Sequence, residues 1–408
     1  MAELPQELID TIVELVLAKD LIACALTARS FVECSQRRIF YMMSLSGLPA
    51  YERMSIILAK SPHLGQYVRL LALEIEGIPE NWRPLEVIVS TFLELERVTI
   101  RGNLVGTAPS ELGQNPPLID LLSLPSLLCV GLANLINVPA SLITKALENA
   151  EEVSLSRVSI ASDDPTPTES PNPTSDFLWH LDISDAMEEI MPFLLQPRRV
   201  GYLQYLSRLS ITIVPISESM RGEFTAALAA CAPTLERLEL EFVSPFSLPQ
   251  LPALWHLELG FHADDALGFC ASISLALMST PSLGVLVVSV RERPHRHLVN
   301  WHLLPAAPVP EWAALDTQLC EMHTRAEGES PEPRDDDQPP DDDEDFDPRL
   351  EEVHFSLRYL LPEPDRYTAF VAAVKGKLPS VFGAEFLAFS YRNAFLHPMD
   401  RFSQDYDY

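Results

Sequence analysis

The chain has 408 residues, 47% of them hydrophobic, and a formal net charge of −29 at pH 7. That apolar content suffices for a sizeable core, in one elongated or two globular domains. Residues 327–347 hold twelve acids and one arginine, −11 of the total, and the remainder is still −18. Such a balance excludes the basic footprint of a nucleic-acid binder and favours basic partner surfaces.

The six cysteines, Cys24, Cys34, Cys129, Cys231, Cys270 and Cys320, include no C-x-x-C pair. The N-terminus has no basic-then-apolar leader, and no uncharged apolar run approaches the ~18 residues of a membrane span. These features predict buried thiols in a reducing compartment, cytoplasmic and/or nuclear, and no membrane partner.

In chain order, the first stretch is Leu4-Pro5-Gln6-Glu7-Leu8-Ile9-Asp10-Thr11-Ile12. Pro5 suits the first turn of a helix, where a missing N–H costs nothing. Leu8, Ile12 and Leu15 then fall at i, i+4 and i+7, and Ile9, Val13 and Val16 repeat the spacing one position on. One stripe serves one partner, so two stripes call for two. Asp20 is a good N-cap for a second helix through Leu26. A third helix is predicted over Ser30–Leu45, with Phe31, Phe40, Tyr41 and Met42 as its bulk. A unit this small cannot bury enough surface to stand alone.

Leu-Pro-x-Glu-Leu, Ile12, Asp20-Leu21 and the run Cys24-Ala25-Leu26-Thr27-Ala28-Arg29-Ser30-Phe31 resemble an F-box, in the divergent spelling of fungal F-box proteins with leucine-rich-repeat-like tails. The resemblance implies docking to a Skp-type adaptor and through it to a cullin ubiquitin ligase. Leu4, Pro5, Leu8 and Ile12 would touch the adaptor, with Leu21 and Phe31 packing nearby. Phe31 stands where that family usually carries Trp. The alternative is an amphipathic helix that caps the next domain.

From about residue 50 a unit recurs, apolar-x-x-apolar-x-apolar, often introduced by proline. Examples are Pro125/Leu127/Val130/Leu132, Pro233/Leu235/Leu238/Leu240, Pro252/Leu254/Leu257/Leu259, Pro281/Leu283/Leu286/Val288, Pro348/Leu350/Val353/Phe355 and Pro379/Val381/Ala384/Phe386. Versions without proline sit at Val68/Leu71/Leu73, Leu95/Val98/Ile100, Ala150/Val153/Leu155 and Leu206/Leu209/Ile211. Helical segments precede most of these strands, over Tyr51–Ser61, Leu85–Leu93, Ala140–Asn149, Asp185–Gln196, Glu218–Cys231, Asp264–Ser279 and Asp365–Lys377. Proline ends a helix and holds the chain extended for the strand. The Leu238-to-Leu257 step is too short for a helix. A helix and a strand per repeat resemble a leucine-rich repeat, here degenerate, since only Asn103 falls at the repeat's usual Asn position.

The predicted fold class is α/β: an N-terminal three-helix F-box followed by an irregular leucine-rich-repeat-like solenoid, with parallel strands on one face and helices on the other. Residues 1–47 form the F-box-like domain, 48–400 the repeat domain and 401–408 a flexible tail. Alternation along the strands puts leucines inward and the intervening residues outward. The outward row, Thr99, Arg101, Ser154, Ser156, Ser210, Thr212, Glu239, Glu241, Glu258, His354 and Ser356, is the candidate target-binding face.

Residues 161–175 and 325–347 lack the apolar content to offset chain entropy and read as disordered insertions. Thr166, Thr168, Ser170 and Ser330 are phosphorylation candidates there, set against the simpler reading of tolerated surface loops.

No phosphate loop, dinucleotide fingerprint, G-x-S-x-G elbow or H-E-x-x-H occurs. His295, His297 and His302 cluster near Trp301 but are interleaved with arginines and lack a cysteine, so no metal or other cofactor is expected. The chain is therefore read as a non-catalytic substrate receptor within a ubiquitin ligase, with an unidentified target protein as its second partner. The alternative is a non-ligase interaction scaffold.

Overall fold

A computed structural model describes residues 5–75, 82–102, 116–161, 178–212, 218–242, 247–262, 266–291, 309–324, 350–359, 364–384 and 386–393. Leu4, Asn103, the phosphorylation candidates, the histidine cluster, nearly all of both insertions and the 401–408 tail lie outside those residues. The chain divides into two compact units, Met1–Ile190 and Met191–Tyr408.

The first unit opens with α1 (Gln6–Leu15), α2 (Leu21–Thr27) and α3 (Arg29–Phe40). The expected boundary near residue 47 falls inside this unit. Its strands are β1 (Met42–Ser46), β2 (Leu70–Ile75), β3 (Arg97–Gly102), β4 (Cys129–Val138), β5 (Glu152–Ile160) and β6 (His180–Ser184). Each pairs with the next in parallel. Between them run α4 (Leu48–Lys60), α5 (Arg83–Val89), α6 (Pro116–Leu122) and α7 (Ala140–Asn149), each packed on the next. The unit boundary lies inside α8 (Met187–Leu194).

The register explains the repeat spelling. Met43, Leu71, Val98, Val130, Val153 and Leu181 align across the strands, as do Leu45, Leu73, Ile100, Leu132, Leu155 and Ile183. Both rows are buried. Burying each of these side chains fully contributes roughly 1.5–3 kcal/mol. The array is thus a stack of aliphatic ladders, each rung covered by its neighbours. Asn134, Arg157 and Asp185 follow the aligned row Ala133–Ser156–Ser184, and all adopt left-handed backbone, with φ of 54°, 52° and 54°. On β3 the matching position is Gly102, where a Cβ would come within 2.5 Å of the Asn134 carbonyl oxygen.

The second unit continues the pattern with β7 (Arg208–Thr212), α9 (Glu218–Cys231), β8 (Arg237–Phe242), β9 (His256–His262), α10 (Ala266–Leu277), β10 (Val285–Arg291), α11 (Val309–Thr324), β11 (Glu352–Tyr359), α12 (Pro364–Lys377), α13 (Pro379–Gly383) and β12 (Leu387–Asn393). Again each strand pairs in parallel with the next. Leu209, Leu238, Leu257, Leu286, Val353 and Leu387 form one ladder. Among the described residues no helix separates β8 from β9, as their short spacing requires.

The architecture is an α/β solenoid-like repeat of parallel strands and helices. Several local expectations change. The third helix stops at Phe40, and Met42–Ser46 is a strand rather than the end of a helix to Leu45. Met43 and Leu45 are buried while Met42 stands exposed, the period of a strand. Pro379 opens a short helix, and the last strand begins only at Leu387. There the proline serves as a helix initiator, with its missing N–H at an unpaired first turn. Two strands and three helices were not anticipated: β1, β6, α6, α11 and α13. Phe40/Met43/Leu45 and Leu178/Leu181/Ile183 carry the same spelling as the other strands, so both strands had a readable signal.

Candidate docking and binding surfaces

The N-terminal helices separate their two apolar stripes. Ile9 and Val13 of α1 join Leu21 of α2 and Cys34 of α3 in a buried cluster, with Val16, Cys24, Phe31 and Ile39 packed at its edge. Leu21 and Phe31 therefore pack inside this unit. On the other side, Pro5 is exposed, and Leu8 and Ile12 are 51% and 41% exposed. Leu15 continues that stripe at 81% exposure, and Leu17, Ile22 and Leu26 of the same helical unit are 62–82% exposed.

Polar contacts fix α1 onto α3. The Cys34 thiol donates to Asp10 Oδ1 at 2.6 Å, and Gln6 Nε2 donates to Cys34 Sγ at 2.9 Å. The hydrogen bond from Cys34 holds the Asp10 carboxyl below its ordinary pKa, aided by Gln6. Burial, reinforced by Asp10, pushes the Cys34 thiol up to about 11, so it is held protonated at neutral pH. Arg38 Nη1 donates to the Val16 carbonyl at 2.8 Å, placing a cation at the end of α1 where the helix dipole favours it.

The second candidate surface is the polar row between the aliphatic ladders. The structure places it on the strand face opposite the leucines, but it is not the solvated row that alternation predicts. Arg101 is exposed, and Thr99, Ser210, Thr212 and His354 are half-buried. Ser154, Ser156, Glu239, Glu241, Glu258 and Ser356 are buried. In a ladder of strands ~4.8 Å apart each side chain has a neighbour on either side, and polar groups satisfy one another sideways. Ser154 Oγ donates to Asp182 Oδ2 at 2.9 Å, and Ser289 Oγ to Glu258 Oε1 at 2.7 Å. Glu239 Oε1 accepts from Arg208 at 2.8 Å and Arg237 at 3.0 Å. Asp182 and Ser289 belong to this network and were missed. Asp182 lies on the unanticipated β6, whereas Ser289 follows Val288 in a recognised repeat and was readable.

At the strand starts of the second unit two arginines and a histidine stand side by side. Arg208, Arg237 and His256 share one register position, two residues before Ser210, Glu239 and Glu258. Burial and then Arg237 push His256 down to about pKa 4, against the pull of Glu239 and Glu258. His354 Nδ1 lies 3.2 Å from Glu352 Oε1. The arrangement is a network of ion pairs and hydroxyls that stiffens the face. Among the described residues no group of His, Cys, Asp and Glu is placed to hold a metal ion. None of the described helices is long and apolar enough to cross a membrane.

No family model and no curated protein matches the chain. Among solved structures it is similar to a crystal structure of the Rad7 and Elc1 complex in yeast, with 12% identity and a TM-score of 0.34, over 72% of this chain and 90% of that one.

Proposed function

We propose that this chain is the substrate-recognition subunit of an SCF-type cullin ubiquitin ligase. The N-terminal helices dock a Skp-type adaptor, and the repeat region holds a target protein within reach of the ubiquitin-conjugating enzyme. The chain itself is non-catalytic: it supplies proximity and selectivity.

The observation that carries this reading is the exposure of one apolar stripe while its twin is buried. A helix that merely capped the repeats would cover Leu8 and Ile12 with the chain's own residues, yet they stand 51% and 41% exposed. With Leu15 they leave an exposed apolar stripe of the kind that marks a protein partner. The sequence pattern that resembles an F-box assigns adaptor contact to Leu8 and Ile12. The scaffold alternative keeps the repeat region as an interaction surface and drops the adaptor.

The test is retention of a purified Skp-type adaptor by the full-length chain, beside a Leu8→Ala/Ile12→Ala double variant. Interface anchors cost ~1–3 kcal/mol each when truncated, so the double variant should bind at least about tenfold more weakly. Both side chains point outward, so circular dichroism should be unchanged. A wild-type chain that retains no adaptor would overturn the ligase reading in favour of the scaffold.

A further inference from the structure

The residues just before the strands form a second ladder, at the rim of each unit. In the second unit the Trp255 N–H donates to the Glu236 carbonyl at 2.9 Å, Gly284 to Trp255 at 2.9 Å, and Glu351 to Gly284 at 2.7 Å. Backbone bonds therefore set Glu236, Trp255, Gly284 and Glu351 in one row at the spacing of adjacent strands. In the first unit the same bonds align Glu96, Leu128, Glu151 and Trp179. The first row alternates acids with exposed apolar groups, Leu128 at 41% and Trp179 at 38%; in the second, Trp255, 39% exposed, and Gly284 lie between Glu236 and Glu351.

The two tryptophans occupy equivalent places. Leu178-Trp179-His180-Leu181-Asp182-Ile183 and Leu254-Trp255-His256-Leu257-Glu258-Leu259 are copies of one spelling, one in each unit. Each indole leans on the following histidine, with ring centroids 5.5 Å and 6.3 Å apart. Trp255 also lies across Gly284, where a Cβ would come within 2.2 Å of the indole Nε1. The glycine leaves room for the ring to lie down along the row. Glu236 and Glu351 are exposed and form no ion pair among the described residues.

A half-exposed tryptophan resting on glycine, with an exposed carboxylate at either end of the row, has a definite complement. A guanidinium stacks on an indole face, gaining ~0.5–2 kcal/mol, and its N–H groups fork onto a carboxylate. We propose that the strand-entry rim of the second unit, centred on Trp255, is a seat for an arginine-bearing segment of a partner protein. This deepens the receptor reading by naming the target's chemistry, and it rests on that reading only for its biological use. The overall acid excess draws such a segment in, while the indole and the two carboxylates select arginine over a generic cation.

The experiment is fluorescence anisotropy of a labelled short peptide of alternating Arg and Ser, titrated with the full-length chain at low and near-physiological salt. The wild type should bind the peptide and discriminate against its lysine counterpart by about threefold or more. Trp255→Ala and the pair Glu236→Gln/Glu351→Gln should each weaken binding about tenfold, while Trp255→Phe, which keeps a π face, should stay within about threefold. Should Trp255→Phe unfold, the glutamine pair, at exposed positions, still decides the matter. Equal binding by the wild type and the glutamine pair would overturn the proposal, leaving diffuse attraction to an acidic protein. So would failure of the wild type to bind at low salt. Adaptor retention measured on the same preparations is independent of either result, so failure of this seat and failure of the docking reading are separable.

Discussion

At the scale of single residues, burial decides chemistry. His256 is held neutral by its surroundings, with a pKa depressed from 6.5 to about 4. A depressed histidine binds fewer protons folded than unfolded, so its stabilising effect is fully present above pH ~6.5 and is lost as the pH falls toward 4. The wild type should therefore lose thermal stability across that window, and His256→Gln should lose measurably less, which differential scanning calorimetry at stepped pH would register. Gly284 offers a steric test. A methyl group there would meet the Trp255 indole at 2.2–2.9 Å, so Gly284→Ala should destabilise the fold by about 1–3 kcal/mol in urea unfolding. Adding Trp255→Ala should relieve part of that cost; an unrelieved loss would place the clash elsewhere. The same scale holds the clearest failure of sequence reasoning. Glu239, Glu241 and Glu258 look solvated by alternation alone, because a linear pattern shows two faces of a strand but not the neighbours one strand away.

At the scale of elements, each repeat is legible where its spelling is complete and its punctuation regular. β8 through β10 follow proline and carry three apolar positions. β1 carries those positions too, yet Phe40 and Tyr41 continue an apolar run that reads as helix, and only pairing with β2 ends the helix at Phe40. α13 shows what tertiary structure adds. Its first N–H groups have no side-chain cap nearby in sequence, and Asp316 of α11 supplies one: Ser380 N–H donates to Oδ2 and Val381 N–H to Oδ1, each at 3.0 Å. Asp316 is 6% exposed, so losing the carboxylate strands one buried and one part-buried donor. Asp316→Ala should cost about 1–2 kcal/mol, with amide exchange accelerated at Ser380 and Val381 before the rest of the second unit. Unchanged protection there would show that α13 is held by its prolyl start and packing alone.

At the scale of the whole molecule, the ladders make stability local. Leu132 is fully buried between Ile100 and Leu155 on adjacent strands. Leu132→Ala should cost about 2–5 kcal/mol, because the neighbouring strands are themselves stacked and cannot collapse into the gap. In a repeat array that cost falls on nearest neighbours. Hydrogen exchange should quicken first across β3, β4 and β5, leaving β8 to β10 protected; uniform loss across both units would mean they unfold as a single cooperative block.

The sequence by itself determined the class of fold, the phase of its strands and the identity of its core rows, because aliphatic periodicity and proline punctuation are local and survive in a linear reading. It also singled out the N-terminal stripes and their doubling. Only the tertiary structure decided which stripe is spent on the protein's own core and which is left outward, since Ile9 and Leu8 are equally apolar neighbours and differ only in what lies against them. It alone decided that six of the eleven residues of the polar row are buried, with Ser154, Glu239 and Glu258 bonded to side chains on adjacent strands. It also brought Glu236, Trp255 and Glu351 into one row across more than a hundred residues of chain, since strand register is set by packing between segments and not by spacing within them.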